Sequence, residues 1–319
     1  MLASQRSLAS VQLNRSTVAA IAKSPTPWRE AALEAFRRRN AVLDTLFYDV
    51  GKVTDEEARR ISPWLAKEGA ILIVPPTGEG PLELCQTIEE FADKDGHSIR
   101  ALAVAGVGSS ALGSAAFARN VADAFHRPVA AVVSGYGLAD VVTEAAGGWF
   151  WFGTLNRFRH ELEPLDDLSR RWQTSRVLDG IDLSGMPLRT LSLDTKAVYA
   201  LLSNDRFKFS LLTGHSKGNL VISEALFELD RGATPGRHQP SPDTWLVTVS
   251  AVIAMPSRYK RIVDVIGDID WFGALNSRLD MDVEKRPHMA WHHTNTELCF
   301  HLPVTKVFDE LIESRGIKL

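Results

Sequence analysis

Cysteine is scarce in this chain: two residues, Cys85 and Cys299, among 319. Both lie in apolar surroundings without metal-ligand spacing, which argues against a disulfide framework and against a cysteine-built metal centre. No apolar run reaches the about 18 residues that a spanning helix needs, so stable membrane insertion is not expected. Neither sign of charge dominates. The 36 basic and 39 acidic residues leave a net charge of -3, which removes the electrostatic basis for a nucleic-acid or strongly anionic partner and favours a small-molecule one. The N-terminal stretch is basic: residues 1–29 carry Arg6, Arg15, Lys23 and Arg29 but no Asp or Glu. Organelle transit peptides share that bias, yet no secretory apolar core follows the first charges. The expectation is a flexible N-terminal arm over 1–28 and a cytoplasmic protein.

What is present is a chain long enough for a large core, either one elaborated α/β domain over 29–319 or a domain with a cap. Pro25-Thr26-Pro27-Trp28 breaks the chain before an amphipathic helix running to about Phe47, and a second helix is expected from about Asp55 to Lys67. Short apolar runs then predict strands at 70–74, 100–105, 128–134, 208–213, 245–253 and 261–266, with a helix near Pro81 to Asp93 and another ending near Phe125. Strands alternating with helices predict a mainly parallel sheet covered on both faces. The segment 147–190 breaks this rhythm. It is aromatic at Trp149-Phe150-Trp151-Phe152 and charged thereafter, which suits either a small cap over an apolar cleft or a core-packing insertion. Its Trp151-Phe152-Gly153-Thr154-Leu155-Asn156 nearly matches Trp271-Phe272-Gly273-Ala274-Leu275-Asn276, so an internal duplication with the two copies lining one cleft stands beside simple coincidence.

The stretch from Phe207 to Asp230 carries the chemistry. Phe207-Lys208-Phe209-Ser210-Leu211-Leu212-Thr213 reads as an interior strand, and Asn219 to Leu229 reads as a mostly apolar helix. Between them Gly214-His215-Ser216-Lys217-Gly218 has the form G-x-S-x-G. A serine on a strained strand-to-helix turn needs glycine on both sides, because side chains there would collide with adjacent backbone. The alternative is a tight turn with an incidental serine.

A serine hydroxyl is nearly unreactive at neutral pH unless a histidine takes its proton and a carboxylate orients that histidine. Asp268 and Asp270 stand at the exit of the strand Arg261 to Ile266, where such an acid belongs. His292 and His293 come next, with His288 and His301 nearby. The histidine spacing fits no common zinc signature, and no metal is expected. The backbone N–H of Lys217, just after the serine, is a candidate oxyanion donor, with Ser109 in the turn Gly106-Val107-Gly108-Ser109-Ser110 as the second. That turn also admits a weak phosphate nest, and hence a nucleotide-binding reading.

The Gly214-His215-Ser216-Lys217-Gly218 turn and its apolar helix resemble those of class 3 lipases and their relatives within the α/β-hydrolases, which often carry G-H-S-x-G. The resemblance spans about Phe207–Phe300. Those lipases carry their acid in a segment like N-D-P-V-P-R-L, and Asp270 followed by Leu275 five residues on is similar; their histidine is often followed four residues later by glutamate, as His293 is by Glu297. The resemblance therefore implies an α/β-hydrolase fold with Ser216, Asp270 and His293 as the triad and no cofactor. Asn219 departs from the family's second glycine, and no F-R-G-T-type oxyanion strand precedes the elbow. The expected activity is hydrolysis of a small-molecule acyl ester. The alternatives are an inactive hydrolase-like binding or scaffold protein, and acyl transfer or thioester cleavage with the same triad.

Overall fold

Alternation within very short strands sets the layers. In the computed structural model, which describes residues 43–61, 68–106, 109–134, 192–231, 238–277 and 283–319, seven strands form one sheet. They are β1 (Ile71–Val74), β2 (Glu83–Cys85), β3 (Ala101–Val104), β4 (Val129–Val132), β5 (Leu211–His215), β6 (Trp245–Val249) and β7 (Ile262–Val265), in the spatial order β2-β1-β4-β3-β5-β6-β7. Successive side chains of a strand point to opposite faces. Accordingly Leu72, Ala101, Ala103, Ala131 and Val247 enter one core, and Ile71, Leu102, Val104, Ala130 and Leu246 enter the other. A strand buried on both faces has no polar alternation, which is why these segments read as continuous apolar runs.

Helices cover both faces. The described ones are α1 (Asp55–Arg60), α2 (Ile88–Asp93), α3 (Ala111–Phe125), α4 (Leu193–Ser203), α5 (Lys217–Arg231), α6 (Trp271–Leu275) and α7 (Val304–Arg315). On one face α3 packs with α7, where Phe125 and Phe308 meet at 5.8 Å between ring centroids. On the other, Val198, Leu201 and Leu202 of α4 and Val221, Ile222 and Leu226 of α5 share a core with Phe91 of α2. The α/β class and the mainly parallel sheet covered on both faces are as the sequence implied.

Two features refine that reading. Strands β4, β3, β5, β6 and β7 are mutually parallel, but β1 runs antiparallel to both β2 and β4. The helix expected near Pro81 to Asp93 is only its second half: Glu83–Cys85 pairs with β1, and Thr87 then caps α2 by accepting a hydrogen bond from the Glu90 amide at 3.0 Å. A threonine placed before Ile88-Glu89-Glu90 satisfies an N-terminal amide there and starts the helix late. The N-terminal arm, the candidate cap at 147–190 and the first copy of the aromatic repeat lie outside the described residues. Among the described residues, no helix is long and apolar enough to cross a membrane.

Because the five parallel strands share a direction, their C-terminal ends open on one edge of the sheet. The loops leaving β3, β5, β6 and β7 gather there, and in a parallel sheet that is where chemistry-bearing residues collect.

Candidate functional site

Strand β5 ends at His215, the next residue Ser216 has φ 53°, and α5 begins directly after it at Lys217. A left-handed backbone is uncommon for a residue with a side chain, and it persists only where the surroundings impose it. Two hydrogen bonds and the two flanking glycines impose it here. The Ser216 amide donates to the Val249 carbonyl at 2.8 Å, and the Asn219 amide closes the turn on the Ser216 carbonyl at 3.1 Å. The flanking glycines let the backbones meet: a Cβ on Gly218 would overlap the Val104 carbonyl of β3, and one on Gly214 would lie 2.5 Å from the Asn219 amide nitrogen. Asn219, which departs from the lipase-like pattern, ties the turn to the next strand through Nδ2, donating to the carbonyls of Val249 at 3.0 Å and Ala251 at 2.9 Å.

Those two carbonyls bracket Ser250, a second serine in the left-handed region with φ 58°. It repeats the elbow's geometry one strand over, with its amide donating to Val265 at 2.8 Å as Ser216 does to Val249. No glycine follows it in the G-x-S-x-G manner, so nothing in the sequence announced it. Its carbonyl packs on Gly273, against which Asp270 also sits.

Asp270 lies beyond β7 and caps α6, accepting from the Gly273 amide at 2.6 Å. Both its oxygens also face His292 Nδ1, at 3.0 and 3.1 Å, and both side chains are almost wholly buried. Burial alone would raise the Asp270 pKa, but His292 and the Gly273 amide outweigh it and hold the carboxyl below its ordinary value. An ionised carboxylate only accepts, so Nδ1 carries the proton and Nε2 is left as the basic nitrogen of the ring. Phe272 stands edge-on to His292 at 4.6 Å and Phe47 at 6.2 Å, fixing the ring plane.

The histidine expected from the sequence was His293, and here the structure differs. His293 is turned away from Asp270 and gives Nε2–H to the Cys299 carbonyl at 3.0 Å; burial pulls its pKa below the ordinary value. Neighbouring side chains in an extended loop face opposite ways, so the loop's anchors decide which one meets the acid. Those anchors are Trp291 N–H to Phe300, Leu302 N–H to the His293 carbonyl, and Thr294 N–H to Phe47. The spacing from His293 to Glu297 carries no information about them. Asp268 sits at the surface beside the exposed His288 at 2.9 Å, away from this pair.

The expected oxyanion donors fare unequally. Lys217 heads α5, where helix amides lack intrahelical acceptors and the helix dipole favours negative charge. Its ammonium is buried 3.9 Å from Asp194, whose carboxyl is held below its ordinary pKa by Lys217, Ser192, Ser134 and the Thr195 amide, despite the opposing effect of burial. Ser109 has both donors engaged: its amide donates to the Gly106 carbonyl and its hydroxyl to the Ser134 carbonyl, each at 3.3 Å, and the residue is fully buried. The described part of the phosphate-nest alternative, the N-terminus of α3, is taken for a related reason. Asp44 already occupies the N-terminus of α3, accepting from the amides of Ser110 at 2.9 Å and Gly113 at 3.0 Å, where a phosphate would have to sit. Val107 and Gly108 of that turn lie outside the described residues.

Sequence reasoning also missed Tyr48 and the role of His215. Tyr48 approaches Gly106 and His215 from a helical turn at 43–47, far away in the chain. Among the described residues no group of three or more His, Cys, Asp or Glu is placed to hold a metal ion. No family model, curated protein or solved structure matches the chain, so its function has to be argued from these side chains.

Proposed function

We propose that the protein is a serine hydrolase of α/β-hydrolase fold that cleaves a carboxylic ester of a small acyl substrate, with Ser216 as nucleophile, His292 as base and Asp270 as its orienting acid. The observation that carries this reading is the strained Ser216 elbow at the end of a central strand, with a buried Asp–His pair supplied by the segments that follow β7. Serine, acid and histidine follow one another in the chain order of that fold.

In this mechanism Ser216 Oγ attacks the ester carbonyl while its proton passes to His292 Nε2, and Asp270 stabilises the resulting imidazolium. The Lys217 amide supports the developing oxyanion. The alcohol leaves with the proton held on Nε2. Water then attacks the acyl-enzyme, giving its proton to the same nitrogen, and the acid departs as Ser216 is restored. Neither step calls for a cofactor.

The test is covalent labelling of the purified protein with a fluorophosphonate, read by intact mass, comparing wild type with Ser216→Ala. One adduct on the wild type and none on the folded variant is the expected result. An unlabelled wild-type protein, or equal labelling of both, sinks the reading and leaves the binding-protein alternative in its place.

A further inference from the structure

Three buried polar groups at the elbow form a chain that the hydrolytic mechanism does not use. The Gly106 amide donates to the Tyr48 hydroxyl at 2.7 Å, Tyr48 Oη lies 3.0 Å from His215 Nδ1, and His215 Nε2 lies 2.9 Å from the His292 carbonyl. Tyr48 and His215 are both almost fully buried, so water does not compete for these bonds. The chemistry of the groups fixes the direction of each one. A peptide carbonyl only accepts, so His215 Nε2 carries a proton. A neutral imidazole with its proton on Nε2 has a bare Nδ1, which must accept, so the Tyr48 hydroxyl donates to it and turns its lone pairs to the Gly106 amide. Every group is then satisfied by a single tautomer. Burial supports the neutral ring, pulling the His215 pKa down to about 3.

The chain ends on the backbone of the proposed base. His215 belongs to β5 and directly precedes Ser216, while the His292 carbonyl belongs to the loop that carries the ring paired with Asp270. The bond between them fastens that loop to the elbow, and the two rings lie 5.1 Å apart. Gly106 closes the set, since a Cβ there would lie 3.1 Å from both Ser216 Cβ and the Tyr48 hydroxyl.

Resting on the hydrolase reading above, we propose that Tyr48 is a positioning residue: its hydroxyl selects the Nε2–H tautomer of His215, and His215 in turn holds the His292 loop against the nucleophile. Tyr48 touches no reacting atom. Its own segment is anchored independently, because Asp44 holds the start of α3 and the Phe47 carbonyl accepts from the Thr294 amide at 2.7 Å. Deleting the hydroxyl should therefore leave the fold in place and release only the tautomer.

The experiment uses the full chain and the variant Tyr48→Phe, with two readouts. Long-range 15N–1H correlation of the histidine rings is expected to show wild-type His215 wholly as the neutral Nε2–H form at pH 7, and a tautomer mixture in Tyr48→Phe. Labelling by a fluorophosphonate and turnover of a p-nitrophenyl ester are expected to slow about 10-fold or more through kcat, with KM changed less than about 2-fold, as misplacement of a base predicts. Wild-type His215 found as a cation or as the Nδ1–H form overturns the proposal, and this spectrum needs no variant. So does a folded Tyr48→Phe that labels at the wild-type rate. Wild-type protein that never labels removes the hydrolase reading itself, and the positioning role goes with it. A labelled wild type with an unaffected variant removes the positioning role alone.

Discussion

Replacing His292 and His293 separately by alanine should have opposite consequences, although the two residues are adjacent and both buried. His292→Ala removes the proton acceptor and strips the Asp270 carboxylate of the partner facing both its oxygens, leaving it the Gly273 amide. Loss of the general base from such an arrangement costs about 10⁴-fold or more in rate, and tenfold corresponds to about 1.4 kcal/mol of barrier, so about 5–6 kcal/mol of transition-state stabilisation is at stake. His293→Ala removes the bond to the Cys299 carbonyl and leaves a small cavity. The expected cost is about 1–3 kcal/mol of stability. The assay is the second-order rate of fluorophosphonate labelling near pH 7.5, with a thermal melt on each variant to confirm folding. His292→Ala should label at least about 1,000-fold more slowly than wild type, and His293→Ala within about 10-fold of it. A His293→Ala protein that folds but does not label, beside a His292→Ala protein that labels normally, would refute the assignment of the base and the reasoning from the Asp270 contact that led to it.

Asp270→Asn should lower kcat by about 10³-fold or more, by disturbing the protonation and orientation of His292, whereas Asp268→Asn, at the surface with His288, should change the rate less than about 3-fold; steady-state ester hydrolysis decides between them. Gly218→Ala forces a Cβ into the Val104 carbonyl of β3, so it should lower stability by about 1–3 kcal/mol in a denaturant melt and displace Ser216 enough to abolish labelling. Burial raises the Asp44 pKa from 3.8 to about 7 against its hydrogen bonds from Ser110 and Gly113. The unfolded chain releases that proton first, so between about pH 4 and 7 the native state binds more protons and its stability falls as pH rises, by on the order of 4 kcal/mol if Asp44 acted alone. The stability gap between wild type and Asp44→Asn, measured by urea melts at pH 5 and pH 8, should therefore be larger at pH 5; a gap that is constant or larger at pH 8 contradicts the buried-acid account.

What the residues determine by themselves is local. Runs such as Leu102 to Val104 and Val129 to Val132 state their own burial, because a segment without polar alternation has no face to give to water. Gly214 and Gly218 around Ser216 state the elbow, because only a turn that brings backbones into contact forbids side chains at both positions. At the exit of β7 the residues alone left Asp268 and Asp270 open; the lipase resemblance favoured Asp270, and only the structure shows that it caps α6.

What the tertiary structure alone decided is which groups meet across the chain. The choice between His292 and His293 depends on anchors to Phe47, Phe300 and Leu302, and none of these is encoded in the histidines' own spacing. The donors of Ser109 are engaged by Gly106 and Ser134, and the start of α3 is taken by Asp44, which lies far back in the chain. Tyr48 and His215 gained a role through the meeting of three loops at one sheet edge. A periodic pattern reports the burial of a side chain's own surface. A hydrogen bond between distant residues depends on the relative placement of two backbones, which exists only once the sheet has assembled.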